Sequence, residues 1–193
     1  GASGTIGADI AARSAPDGYT LFIMTASQIM SVPIFKKLPY EPVKSFTAIS
    51  PIGAGPLMLV SNPSFAPKTV KELIDLAKSQ PGKLNFASGG TGVGIHMAGE
   101  LFNVAAGVKI THVPYKGAGP GMTALLAGEV QVSIVGVATL LPHINSGRVR
   151  ALAVPGAHRS AAMPDLPTVA EAGVTGYAFD AWYGVMATAG TPR

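Results

Sequence analysis

The chain contains no cysteine. That excludes disulfides, thiolate-bound zinc, iron–sulfur clusters and a thiol nucleophile. Charge is also scarce, with 12% of residues being Asp, Glu, Lys or Arg and a formal net charge of only +4. No run of Lys and Arg interleaves with aromatic residues, so no nucleic-acid partner is expected despite a sequence pI ≈ 9.4. Apolar runs such as residues 57–60 and 151–154 are far too short to span a bilayer.

Recognisable catalytic patterns are missing as well. The histidines, at 96, 112, 143 and 158, show no H-x-x-x-H or H-E-x-x-H spacing. No metal site and no cofactor are expected, and each histidine reads first as a packing or surface residue. No serine sits in G-x-S-x-G. The ten acidic residues fall mostly on expected helices and turns, and none pairs with another for acid–base work. This scarcity favours binding over catalysis.

What the chain does have is glycine, 24 residues of it, and a composition 48% apolar. With 193 residues, that is enough to bury the core of one ordinary domain or two small ones. The glycines concentrate in residues 83–102, KLNFASGGTGVGIHMAGELF. Residues 83–87 read as a strand and 88–92 as a loop poor in side chains. A helix then starts near Gly92, with Ile95, Met97, Ala98, Leu101 and Phe102 inward. Strand, glycine loop and helix start together leave backbone N–H groups beside the positive end of a helix dipole, which suits an anion. The loop is neither G-x-x-x-x-G-K-[ST] nor G-x-G-x-x-G. The residues alone leave two readings open, an anion nest or a tight turn whose glycines let a helix pack close to a sheet.

Along the chain, residues 5–14 predict a helix and 15–18 a proline–glycine turn. Residues 19–25 predict a buried strand. It ends in Thr25, Ala26, Ser27 and Gln28, small or polar residues where open α/β sheets take ligands, or else a hydrated loop. Residues 33–42 read as a short helix followed by extended chain, and 46–61 as an extended segment broken at 53–56. Thr69 is set to cap a helix over 70–79, with Glu72 completing a capping box. From 84 to 154 the order strand, glycine-containing loop, helix recurs three times, predicting a parallel sheet. It places loops at 88–92, 115–121 and 136–138. A short helix is expected at 169–172, and a second extended segment, holding Trp182, at 177–188. His96, one turn past Gly92, is either within reach of an anion or a surface histidine. Lys116 is either an anion partner or a solvated lysine. Both chain ends read as the middle of a longer protein, so truncation at each end is expected.

Several phrases together carry a resemblance. They are APDGYTL at 15–21, KLPYEP at 37–42, VPYKG at 113–117, LAGEV at 126–130, RALAV at 150–154 and LPTVAEAG at 166–173. WYG at 182–184 and AGTP at 189–192 follow. In this order, over essentially the whole chain, they resemble the extracytoplasmic solute receptors of tripartite tricarboxylate transporters, the Bug-type periplasmic binding proteins.

The resemblance implies an α/β fold of the periplasmic-binding-protein kind, with two α/β domains joined by crossing extended strands. The first, residues 1–56 with 177–193, would be incomplete, and the second would span 57–176. It implies a periplasmic receptor, monomeric at full length. The receptor would hold a small carboxylated solute in an interdomain cleft and deliver it to the membrane components of the transporter. The family's second-domain carboxylate loop maps to Ser88, Gly89, Gly90, Thr91 and Gly92, with His96 nearby. Gly136, Val137 and Ala138 would line the cleft, and Thr25, Ser27 and Gln28 would face it. The family's first-domain loop has no counterpart in this sequence. The competing class is a piece of a nucleotide-dependent α/β enzyme. Against it stand the missing phosphate lysine and ribose-binding acid.

Overall fold

Apolar runs punctuated by glycine and proline become short alternating strands and helices. A computed structural model describes residues 4–30, 32–35 and 37–192. In chain order the elements are α1 (Thr5–Ala12), β1 (Leu21–Thr25), α2 (Ala26–Met30), β2 (Phe46–Gly55), β3 (Leu57–Ser61), α3 (Val70–Ser79) and β4 (Asn85–Ser88). They continue with α4 (Gly94–Ala106), β5 (Thr111–Pro114), α5 (Ala118–Ala127), β6 (Val132–Gly136), α6 (Val137–Asn145), β7 (Arg150–Ala153) and β8 (Ala181–Thr188). The chain divides into two compact units. One comprises Gly1–Gly55, Thr91–Gly94 and Ala181–Arg193, the other Pro56–Gly90 and Ile95–Asp180. Among the described residues, no helix is long and apolar enough to cross a membrane.

The larger unit is built on a five-stranded sheet of order β5-β4-β6-β3-β7. β4 runs parallel to β5 and β6. β3 runs antiparallel to β6 and β7, pairing Leu59 with Ile134 and Ala153. The four strands of the 84–154 repeat, β4 to β7, thus run in one direction as expected, and β3, which precedes the repeat, makes the sheet mixed. Every residue of β3 is buried. A continuous apolar run fills a central position but carries no mark of strand direction. One side of the sheet packs Met58, Val60 and Ala87 with Leu125 of α5 and Leu140 of α6. Elsewhere in this unit Phe102 of α4 meets Tyr177 edge to face at 6.1 Å, and the Tyr177 hydroxyl donates to the Ala98 carbonyl at 3.0 Å.

The helix starts follow local chemistry. Thr69 caps α3, its hydroxyl accepting the Glu72 N–H at 3.2 Å. The Glu72 carboxylate accepts the Lys68 N–H at 2.7 Å rather than that of the cap residue, a displaced form of the expected box. Thr168 and Glu171 make the reciprocal pair, at 3.0 and 2.8 Å, yet residues 169–172 form a single turn and not a helix. One turn is too short to sustain itself before Gly173. α4 begins at Gly94, not Gly92, because Gly92 has φ 82°, outside the helical region. Leu101, expected inward, is 38% exposed, and the buried face is Ala98, Gly99 and Phe102. α5 starts at Ala118, inside the span expected to be loop, and α6 starts at Val137.

The smaller unit is a three-stranded antiparallel sheet, β1-β8-β2. Ala8 and Ala11 of α1 cover one face, packing with Met24, Tyr40 and Phe46. The Thr188 hydroxyl ties α1 down by donating to the Ala11 carbonyl at 2.9 Å. β1 is an edge strand with alternating faces, so Met24 is buried while Leu21 and Ile23 are 60% and 59% exposed. The fully buried strand expected at 19–25 is half-buried instead. Residues 33–35 and 37–42 contain no helix, since their prolines interrupt helical bonding. Lys36 lies outside the described residues.

Gly99 of α4 lies directly on the ring edge of Phe86, and a Cβ there would overlap it. Gly99→Ala is expected to destabilise the protein by about 1–3 kcal/mol through overpacking, despite the better helix propensity of alanine. The urea midpoint checks this, and an unchanged or raised midpoint would contradict the packing.

Candidate functional site

β4 delivers Ser88 to the start of the glycine loop with only 3% of the residue exposed. A buried hydroxyl needs partners, and Ser88 Oγ has three. It accepts the Gly90 N–H at 3.2 Å, donates to the Gly90 carbonyl at 2.9 Å and lies 2.6 Å from His112 Nε2. A hydroxyl has one proton to give and two acceptor positions. The carbonyl can only accept, so the serine proton belongs there. Full pairing then requires His112 to donate from Nε2, which assigns its neutral form as the Nε2–H tautomer.

The backbone of this loop is tied to the next strand end. Tyr115 N–H donates to the Ser88 carbonyl at 2.9 Å, and Gly117 N–H to the Gly89 carbonyl at 3.1 Å. A Cβ on Gly89 would come within 3.2 Å of Gly117 C and Ala118 N. Two of the three expected glycine loops thus lie against each other. Gly90 adopts φ 140°, a conformation that side chains disfavour. Lys116, next to the second loop, is exposed.

Two histidines stack beside the loop. The rings of His96, in the first turn of α4, and His112, on β5, have centroids 3.9 Å apart. Phe86 lies 5.0 Å from His112 and 6.4 Å from His96. Burial, with a smaller contribution from His96, lowers the His112 pKa from 6.5 to about 4. Burial also lowers that of His96, against the opposing pull of Glu100. His96 Nε2 and Glu100 Oε1 are 3.8 Å apart. Because burial favours the neutral ring, this approach is not an ion pair at neutral pH.

At the third strand end, Val137 N–H donates to the Pro56 carbonyl at 3.0 Å and its side chain joins the core. Gly136 is half-buried and Ala138 is exposed on the first turn of α6.

In the smaller unit, Gln28 is buried and acts as a bracket. Its Oε1 accepts both the N–H and the hydroxyl of Thr25, each at 2.8 Å. Ser27 N–H donates to Thr25 Oγ1 at 3.2 Å. Ser27 Oγ accepts the Gly94 N–H at 3.0 Å. Thr91 is exposed, Gly92 is buried, and both cluster with this unit, while Ser88, Gly89 and Gly90 belong to the larger one. Among the described residues, no group of three or more His, Asp or Glu is arranged to hold a metal.

Sequence reasoning passed over His112 and the hydroxyl of Ser88. His112 pairs with Phe86 in the β4–β5 register, one step of the same face from Ser88. No spacing rule reveals that, because the register exists only once the strands pair.

The sequence model described as "Tripartite tricarboxylate transporter family receptor" matches residues 1–193. The chain belongs to this receptor family. Protein BugT of Bordetella pertussis (strain Tohama I) is 38% identical over 193 residues, covering 99% of this chain and 59% of BugT. The solved structure of R. palustris Rpa4515 with adipate superposes with a TM-score of 0.91 at 36% identity, covering 100% of this chain and 65% of that one. MatC from Rhodopseudomonas palustris with bound malate gives 0.89 at 34% identity, covering 100% and 66%. This receptor-family chain has their α/β binding-protein fold, and spans under two-thirds of the curated relative's length.

The lowered pKa of His112 has a consequence for folding. Below pH 6.5 the unfolded chain takes up a proton that the folded protein declines until about pH 4. Stability from this group is complete above 6.5 and decreases as the pH falls towards about 4. Urea midpoints measured across that range check it. His112→Phe, which cannot titrate, is expected to flatten that part of the profile.

Proposed function

We propose that this chain is the solute-capturing part of a periplasmic receptor, monomeric at full length. It takes a small carboxylate at the loop formed by Ser88, Gly89, Gly90, Thr91 and Gly92. The observation that carries the proposal is likeness over the whole chain to one protein solved with adipate and another with bound malate. Both ligands are dicarboxylates. The loop ends a buried parallel strand and leads into a helix start, a place where backbone N–H groups and the helix dipole favour an anion. Family membership supports delivery to the membrane components of a tripartite tricarboxylate transporter. His96 is assigned to the site by its place in the first turn of α4, and Gly136 and Ala138 by theirs at the β6–α6 junction, with Val137 beneath them. Thr25, Ser27 and Gln28 would serve from the smaller unit. The two compact units support two lobes, residues 1–56 with 177–193 and residues 57–176.

The Ser88–His112 approach of 2.6 Å raises the alternative of a serine nucleophile with a histidine base. Three features of the site oppose it. The hydroxyl is buried, its proton is directed at the Gly90 carbonyl, and the imidazole pKa of about 4 is far from that of a base poised near neutrality.

Titration with mono-, di- and tricarboxylates, read by Trp182 fluorescence and melting temperature, tests the proposal. Carboxylates are expected to shift both signals and to be recovered unchanged. A response only to neutral or cationic solutes, or chemical turnover, would sink it. Gly90→Val forces a side chain onto φ 140°. The strain is expected to weaken binding about tenfold or more while the fold persists.

A further inference from the structure

We propose that His112, acting through the Ser88 hydroxyl, is the positioning residue of the glycine loop, and that His96 holds His112 in place by stacking. The inference rests on the reading of that loop as the carboxylate site.

The loop has little of its own to keep one shape. Gly89 and Gly90 carry no side chain, and glycine backbone visits many conformations. A recognition loop made of backbone donors binds well only if those donors are already aimed. Ser88 Oγ supplies the missing constraint from inside the loop, since it engages both the N–H and the carbonyl of Gly90. A serine hydroxyl rotates about its own bond, so it needs a third partner to be fixed in this bridging role. His112 Nε2 is that partner, at 2.6 Å.

His112 is itself held from several sides. β5 pairs with β4 so that His112 stands opposite Phe86, and the two rings are 5.0 Å apart. On another side His96 stacks at 3.9 Å. The charged group near this pair on α4 is Glu100, with Oε1 3.8 Å from His96 Nε2. β4 contributes Ser88 and Phe86, neither of them ionisable, and β5 flanks His112 with Thr111 and Val113. The surroundings therefore favour a neutral imidazole with its proton on the nitrogen facing Ser88. The chain runs from α4 through two imidazoles to a hydroxyl and ends on the Gly90 peptide. His112 itself need not touch solute to do this.

Long-range proton–nitrogen NMR of the labelled native protein reads the His112 tautomer directly. The Nε2–H form is expected, and an Nδ1–H form would overturn the assignment. His112→Phe keeps a stacked ring but loses the donor, whereas His112→Gln places an amide N–H in reach of Ser88. The Phe variant is expected to bind adipate about tenfold more weakly, the loss of one hydrogen bond to the loop. It should also exchange its Gly90 amide proton faster, and the Gln variant should restore both. Equal behaviour of the two variants in both readouts would overturn the proposal. Should the Phe variant fail to fold, Ser88→Ala removes the hydroxyl without adding bulk. It is expected to release the Gly90 amide, and an unchanged exchange rate there would equally count against the proposal. If the native protein binds none of the mono-, di- and tricarboxylates, the carboxylate reading fails, while the tautomer and the Gly90 amide still decide whether His112 positions the loop.

Discussion

The backbone of Gly89 lies against that of Gly117 and Ala118, closer than a side chain would comfortably permit. Much of the candidate site follows from this contact. It lets β4 and β5 end side by side, with Tyr115 and Gly117 donating to the carbonyls of Ser88 and Gly89. Those bonds extend the parallel pairing of β4 and β5 past the last strand residue. The extended pairing sets the direction in which the chain leaves towards α4. It also keeps His112 beside Ser88, so the imidazole stack and the bound hydroxyl depend on it.

The site has few formal charges. Burial keeps both histidines neutral near pH 7, and Lys116 is exposed beside the neighbouring turn. Backbone N–H groups and a helix start are fixed dipoles that neither titrate nor swing away. The carboxylate site proposed here would recognise its anion by geometry. Such recognition is tolerant of the rest of the solute, which is consistent with adipate and malate appearing with similar chains. It also fits the engagement of the buried Ser88 hydroxyl with the backbone of Gly90.

Local chemistry was legible wherever its cause was local. Thr69 capped α3 at the residue its spacing indicated. The glycine loop between β4 and α4 could be read as a loop because no other structure suits Ser-Gly-Gly-Thr-Gly. Less was legible where burial decides. Leu101 matched a helical stripe but is exposed, while Gly99, which matched nothing, sits in the core against Phe86. Leu21 and Ile23 belonged to an apolar run, yet an edge strand with one covered face leaves them open.

The sequence by itself determined the strand–loop–helix alternation over residues 84–154, the Thr69 cap and the family, because each depends on residues a few positions apart or on phrases that recur in relatives. Only the tertiary structure decided the direction of β3, since a strand buried on both faces has the same composition either way. It alone brought His96, His112 and Ser88 together. Those contacts are set by strand register and by packing, which link residues through space, and no local pattern records them.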